Sequence, residues 1–313
     1  MKYLLLLLFM SLGAAVGAQD SSYTESPIVL ETATGKIYGT LTLPHSGGAV
    51  PVVLFIAGSG PTDRNGNNNM GLKTNCTLQL AHALAAAKIA SVRYDKRGVA
   101  ESVGAAKSEA SLRFDDYIAD ARAWMDLLRK DSHFSKLVVA GHSEGSLIGM
   151  IATPGHADKF ISLAGAGTSA DTILKTQLQK LPQNLYETAV KTIDSLKRGD
   201  EVKDVNPNLQ QLFRPSIQPY LISWFKYDPQ TEIKKLKIPV LIIQGTKDLQ
   251  ITVADAQKLK TAQPKSTLVI IGNMNHVLKN IPGEQAENMQ SYSNPELPVN
   301  DTLVHTIIDY IKK

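Results

Sequence analysis

The segment Gly141-His142-Ser143-Glu144-Gly145 constrains this chain more than any other. It follows the apolar run Leu137-Val138-Val139-Ala140 and precedes Ser146-Leu147-Ile148-Gly149-Met150-Ile151, which is permissive for a helix. A serine with glycine two places to either side, set between a strand and a helix, is the pattern of a nucleophile elbow. The serine occupies a strained turn with its hydroxyl exposed, and the glycines remove Cβ atoms that would collide as strand and helix close together. Ordinary glycine and serine frequencies would give roughly 0.1 such matches in a chain of this length, and the flanking pattern lowers that further. Ser143 is therefore read as a nucleophile.

The elbow needs a large fold around it, and the 313 residues, 43% hydrophobic and 20% charged, are enough to build one. Residues 1–18 read as a secretory signal: Lys2 is the charged start, Leu4 to Met10 the apolar centre, and Val16-Gly17-Ala18 a small-residue cleavage site. The apolar run is too short to span a bilayer, and no other stretch approaches about 18 uninterrupted apolar residues. The expectation is a soluble secreted or periplasmic protein beginning near Gln19, without stable membrane insertion once the signal is removed. Cys76 is the only cysteine, so no intramolecular disulfide can form, and its place before an apolar helix pattern reads as packing. The formal charge of +4 is a weak excess with no interleaved aromatic and basic stripe, which argues against a nucleic-acid partner.

Strand and helix patterns alternate along the chain, the signature of an α/β fold. Ile28 to Glu31 and Lys36 to Leu43 flank Thr34-Gly35 as a hairpin, and Val52 to Ile56 is a buried strand running into Ala57-Gly58-Ser59-Gly60-Pro61. A helix over Leu78 to Ala87, a strand over Ile89 to Tyr94 and a helix over 115–129 lead to the elbow. After a strand at Lys159 to Ala164 the alternation breaks, and residues 168–235 read as a helical insertion, too long for a plain connection. Strands resume at Val240 to Ile243 and Thr267 to Ile271, and Asp301 to Ile311 closes the chain as an amphipathic helix. The division is thus a signal at 1–18, core at 19–167, insertion at 168–235 and core again at 236–313.

A serine hydroxyl is a poor nucleophile near neutral pH and needs a base within reach and a carboxylate to orient that base. Asp248 follows the Val240 strand through Gln244-Gly245-Thr246-Lys247, and His276 follows the next strand through Gly272-Asn273-Met274-Asn275. Groups just past the carboxyl ends of parallel strands gather at one edge, so both converge on Ser143. Asp255 is the competing carboxylate, but it falls inside the following helix. His305 lies in the final helix, His45 and His82 precede the elbow, and His133 and His156 lie in connections. His142 adjoins the nucleophile and is read as pointing away from it, in a packing or hydrogen-bonding role. The oxyanion of an acyl intermediate needs fixed donors. The N–H of Glu144 is one, and that of Ser59 is the second; a plain tight turn is the alternative for Gly58 to Pro61. A phosphate loop is disfavoured there because the full glycine pattern and the Walker lysine are missing.

These pieces, together with Gly58 to Gly66, Tyr94-Asp95-Lys96-Arg97-Gly98-Val99-Ala100-Glu101-Ser102, Gln244 to Asp248 and Asn275-His276, resemble the α/β-hydrolases. The nearer resemblance is to exported bacterial esterases of the serine-aminopeptidase-like group. Ala100 stands where glycine is usual, a position that is structural in the family. The resemblance implies a mostly parallel sheet flanked by helices, a helical lid between the sixth and seventh strands, and hydrolysis of small acyl esters. No cofactor is expected, and a metal is disfavoured because neither H-E-x-x-H nor clustered His and Asp ligands occur in the sequence. The resemblance also implies that Asp95 and Arg97 brace loops around the site. Asp63 and Arg64 read as a polar turn that braces itself or touches substrate. Tyr220, Trp224 and Phe225 either line an acyl pocket or pack in the core. Elbow and partners do not distinguish ester from amide, so an aminopeptidase or amidase remains a rival. It would use lid carboxylates such as Glu187, Asp200, Glu201 and Asp204 to hold a substrate amine. A hydrolase fold that only binds is the other alternative.

Overall fold

The apolar runs of the sequence form a single eight-stranded sheet in the computed structural model, which describes residues 22–313. Strands β1 (Tyr23–Thr32) and β2 (Gly35–Pro44) make the opening hairpin, with Gly35 at φ 146° in the turn. Next come β3 (Val50–Ile56), α1 (Cys76–Ala86), β4 (Ala90–Tyr94), α2 (Phe114–Arg129), β5 (Phe134–His142), α3 (Glu144–Ala152) and β6 (Lys159–Leu163). Between β6 and the next strand lie α4 (Ala170–Leu178), α5 (Gln183–Arg198), α6 (Gln210–Phe213), α7 (Gln218–Trp224) and α8 (Pro229–Ile233). Then β7 (Val240–Gly245), α9 (Val253–Ala262), β8 (Thr267–Ile271), α10 (Gln285–Ser291) and α11 (Asp301–Lys312) complete the chain.

The sheet order is β1-β2-β4-β3-β5-β6-β7-β8, antiparallel through β1, β2 and β4 and parallel from β4 to β8. The central strands β3 and β7 are covered on both faces, which is why each is a nearly continuous apolar run rather than an alternating one. In β3, Val52, Leu54 and Ile56 face one apolar cluster with Trp124 of α2 and Ile148 of α3. Val53 and Phe55 face the other, with Leu80 and Leu84 of α1 and Leu303, Ile307 and Ile311 of α11. Those three α11 side chains are fully enclosed, and each contributes about 1.5–3 kcal/mol by leaving water.

Because β3, β5, β7 and β8 run in the same direction, the loops after them open on one edge, where ligands of open α/β sheets bind. Ser59, Ser143, Asp248 and His276 all lie in those loops. Among the described residues no helix is long and apolar enough to cross a membrane. The expected signal at 1–18 lies outside the described residues.

Candidate active site

Ser143 sits between β5 and α3 at φ 54° and ψ −119°, a left-handed conformation that costs a residue with a Cβ. Two glycines make the turn feasible. A Cβ on Gly141 would stand 2.2 Å from the carbonyl oxygen of Gly145, and one on Gly145 would stand 2.2 Å from that of Ile56. The Ser143 N–H donates to the Leu163 carbonyl at 2.9 Å, so β6 holds the turn from the other side.

Across the sheet edge, His276 donates from Nδ1 to Oδ2 of Asp248 at 2.8 Å. The Asp248 side chain is completely enclosed. Its Oδ1 accepts the N–H groups of Gln250 and Ile251 at 2.8 and 2.9 Å, and its Oδ2 also accepts Nε2 of Gln244 at 2.9 Å. Burial raises the Asp248 pKa, but His276 and these N–H donors outweigh it and hold the carboxyl below its ordinary value. With Nδ1–H committed to the carboxylate, the basic nitrogen of a neutral His276 is Nε2. Ser143 and His276 border the same cavity of about 90 Å³, with no direct hydrogen bond between their side chains. Contacts of this kind commonly tighten only when substrate is bound. Asp255 is engaged elsewhere, capping α9 through Thr252 and accepting from Thr168.

The loop carrying His276 is held by polar contacts. Nδ2 of Asn275 donates to Asn288 Oδ1 at 2.9 Å and to Ser291 Oγ at 2.7 Å, both on α10. His142 does not turn away from the site. It borders the small cavity, its ring lies 4.9 Å from that of His276, and its Nε2–H donates to the His276 carbonyl at 2.8 Å. Burial, then the neighbouring His276, push the His142 pKa down to about 4, so it is a neutral donor at physiological pH.

A larger cavity of about 370 Å³ meets the small one at Ser59, Ser143 and Gln250. Leu147, Ile173, Leu174, Ile217, Tyr220 and Trp224 give it an apolar wall, largely from α4 and α7. Phe225 takes the second of its two sequence readings: it is 1% exposed, belongs to the apolar core cluster that includes Ile193 and Leu196 of α5, and does not border the cavity, whereas Tyr220 and Trp224 do. Glu187, Asp200, Glu201 and Asp204 do not line the cavity. The charged side chains that do are paired, Glu144 with Lys96 and Arg214 with Glu109.

The polar loop after β3 braces itself. Asp63 Oδ1 accepts the N–H groups of Asn65 and Asn67 at 2.8 and 2.9 Å, while Arg64 grips Asp95 at 2.6 Å and also pairs with Glu101. Arg97 pairs with Asp120 of α2. Sequence reasoning missed Gln244 and Lys96, both buried polar residues. A polar residue closing or following an apolar strand was the available signal for each.

A family model described as serine aminopeptidase, S33, matches residues 70–308. The chain is 27% identical over 266 residues to the esterase EstD of Thermotoga maritima, an alignment covering 82% of this chain and 60% of that protein. It therefore spans less than two thirds of that relative's length. Among solved structures, Est1E of Butyrivibrio proteoclasticus with bound ferulic acid superposes with a TM-score of 0.61 at 14% identity, over 91% of this chain and all of the other. The Pyrococcus furiosus esterase Pf2001 does so at 0.56 and 14%, over 93% of each chain. Structural likeness at such low identity bears on the fold. With the family model covering well over half of its length, the chain belongs to the serine aminopeptidase S33 family of α/β-hydrolases.

Proposed function

We propose that the protein is a serine hydrolase that cleaves carboxylic esters, with Ser143, His276 and Asp248 as its catalytic triad. The observation that carries this reading is the Asp248–His276 hydrogen bond beside the cavity that His276 shares with the strained Ser143 turn. Ser143 attacks the ester carbonyl while His276 Nε2 takes its proton, and Asp248 holds the imidazole and stabilises its charged form. The N–H groups of Ser59 and Glu144 receive the oxyanion of the tetrahedral intermediate. His276 then protonates the leaving alcohol, and water releases the acyl group by the same route.

The large cavity supports ester over peptide chemistry. An aminopeptidase must hold a substrate ammonium in a desolvated site, and an unpaired carboxylate is the usual means. The charged groups bordering this cavity are paired, and its wall is largely apolar. Exposed Met70 and Leu212 at its border suit an apolar acyl chain. In this reading α4 to α8 form a lid over the acyl site. Export rests on the leader-like residues 1–18. The name of the EstD relative agrees with the ester reading.

The decisive experiment compares parent and Ser143→Ala on ethyl hexanoate by pH-stat titration and on alanine p-nitroanilide by absorbance. A fluorophosphonate label is mapped in parallel. The parent hydrolyses the ester, carries the label on Ser143 and loses roughly 10⁶-fold in turnover on substitution. Faster cleavage of the anilide would establish the aminopeptidase reading instead, and an unlabelled, inactive parent would establish a binding protein.

A further inference from the structure

Lys96 follows β4, the strand paired with β3, so its loop lies beside the loop that carries Ser59. Its side chain is 2% exposed, as is that of Glu144. A buried ammonium is costly unless each of its protons has a partner. Lys96 has three neighbours. Nζ donates to the Gly58 carbonyl at 2.5 Å, lies 3.4 Å from Glu144 Oε1, and sits 5.2 Å from the centre of the Tyr117 ring. Two of these belong to the segments that supply the oxyanion donors.

We propose that Lys96 is the positioning residue of the oxyanion hole, gripping the back of the peptide group whose front is the Ser59 N–H. The proposal rests on the reading of Ser143 as nucleophile. The Gly58 carbonyl and the Ser59 N–H are opposite ends of one planar trans peptide. Fixing the oxygen on Lys96 fixes the rotation of the plane and sends the N–H the other way. A cation on the oxygen also polarises the group and strengthens its N–H as a donor. Through Glu144 the same ammonium ties down the residue whose own N–H is the second donor, so one charge registers both donors against each other. Close contact between the two segments fits this role, since a Cβ on Gly58 would stand 3.2 Å from Cβ of Ser143. The charge pair would otherwise be a weak investment in stability.

A donor that acts only on the developing oxyanion lowers kcat and leaves KM nearly unchanged. Lys96→Met weakens the Ser59 donor without deleting it, so the expected loss in kcat is about 10- to 100-fold, below the 10²–10³ for deleting a donor outright. Affinity for a trifluoromethyl ketone, which forms a hemiketal oxyanion on Ser143, falls by a similar factor. Asp120→Asn is the control, since it breaks the enclosed Arg97–Asp120 pair in the same region. It lowers the melting temperature and leaves kcat in place. Lys96→Gln keeps a polar group in the site and answers the same question if Lys96→Met does not fold. Parent-like kcat and ketone affinity in a Lys96 variant that is only less stable overturn the proposal while Ser143 still takes a fluorophosphonate label. A parent that takes no label overturns the reading of Ser143 and this proposal with it.

Discussion

At the scale of the residue, the site is defined by what each polar group is prevented from doing. Asp248 accepts four hydrogen bonds in an enclosed position, so its carboxylate stays ionised and cannot rotate away from His276. Asp248→Asn leaves the shape intact but favours the wrong imidazole tautomer, and kcat on ethyl hexanoate should fall about 10⁴-fold with Ser143 still in its turn. A loss under tenfold would remove Asp248 from the mechanism. His142 gives a pH prediction. It is pushed down to about 4 in the folded protein, whereas an unfolded histidine takes up its proton near pH 6.5. Its contribution is therefore complete above about 6.5 and is lost as pH falls towards 4. Urea unfolding at pH 7 and pH 4.5 should show a difference of about 2 kcal/mol that shrinks in His142→Asn, and an equal difference in both proteins would exclude His142 as its source. The loop positions of Ser143, Asp248 and His276 at one sheet edge could be read from the sequence because each follows an apolar run at a short distance. Lys96 and Gln244 could not, since their roles depend on partners brought near by the sheet.

At the scale of the element, the central strands were legible because burial on both faces makes a parallel strand a continuous apolar run, and the opening hairpin because Thr34-Gly35 marks its turn. The long helices were legible by their apolar stripes, as in α2 and α11. Helix α10 was not, because Gln285 to Ser291 has no such stripe. Its Asn288 and Ser291 accept hydrogen bonds from Asn275, and so it serves the His276 loop through polar contacts that periodicity does not reveal. The β5–α3 junction leaves no room for a side chain. Gly145→Ala puts a methyl group 2.2 Å from the Ile56 carbonyl, a backbone atom in the central strand that cannot rotate away. Such overpacking should cost about 3 kcal/mol and displace Ser143 as α3 retreats. Thermal unfolding and fluorophosphonate labelling would both register it, and parent-like values in both would mean that strand and helix are further apart than this.

At the scale of the whole molecule, the proposed triad assigns the two cavities to the two halves of an ester. The leaving oxygen must receive its proton from His276, so the alcohol lies on the His276 side of Ser143. His276 borders the cavity of about 90 Å³ and not the one of about 370 Å³. With about a quarter of the larger cavity's volume, the alcohol side suits only a short group. The acyl chain then falls to the apolar side, against Leu147, Ile173, Leu174 and Ile217. Each methylene buried there contributes about 0.8 kcal/mol, roughly fourfold in kcat/KM while the chain still fits. The test is a pair of isomeric esters of opposite arrangement, ethyl octanoate and octyl acetate. Ethyl octanoate should be preferred by more than about tenfold in kcat/KM, because octyl acetate places its chain where only a short alcohol fits and leaves the large cavity nearly empty. Equal rates would mean that the small cavity is not the alcohol site, and a preference for octyl acetate would exchange the two sides. Replacing Ile217 with Trp narrows the large cavity and should cut the octanoate rate while sparing ethyl acetate. Assigning the acyl chain to the α4–α7 wall requires that selective loss.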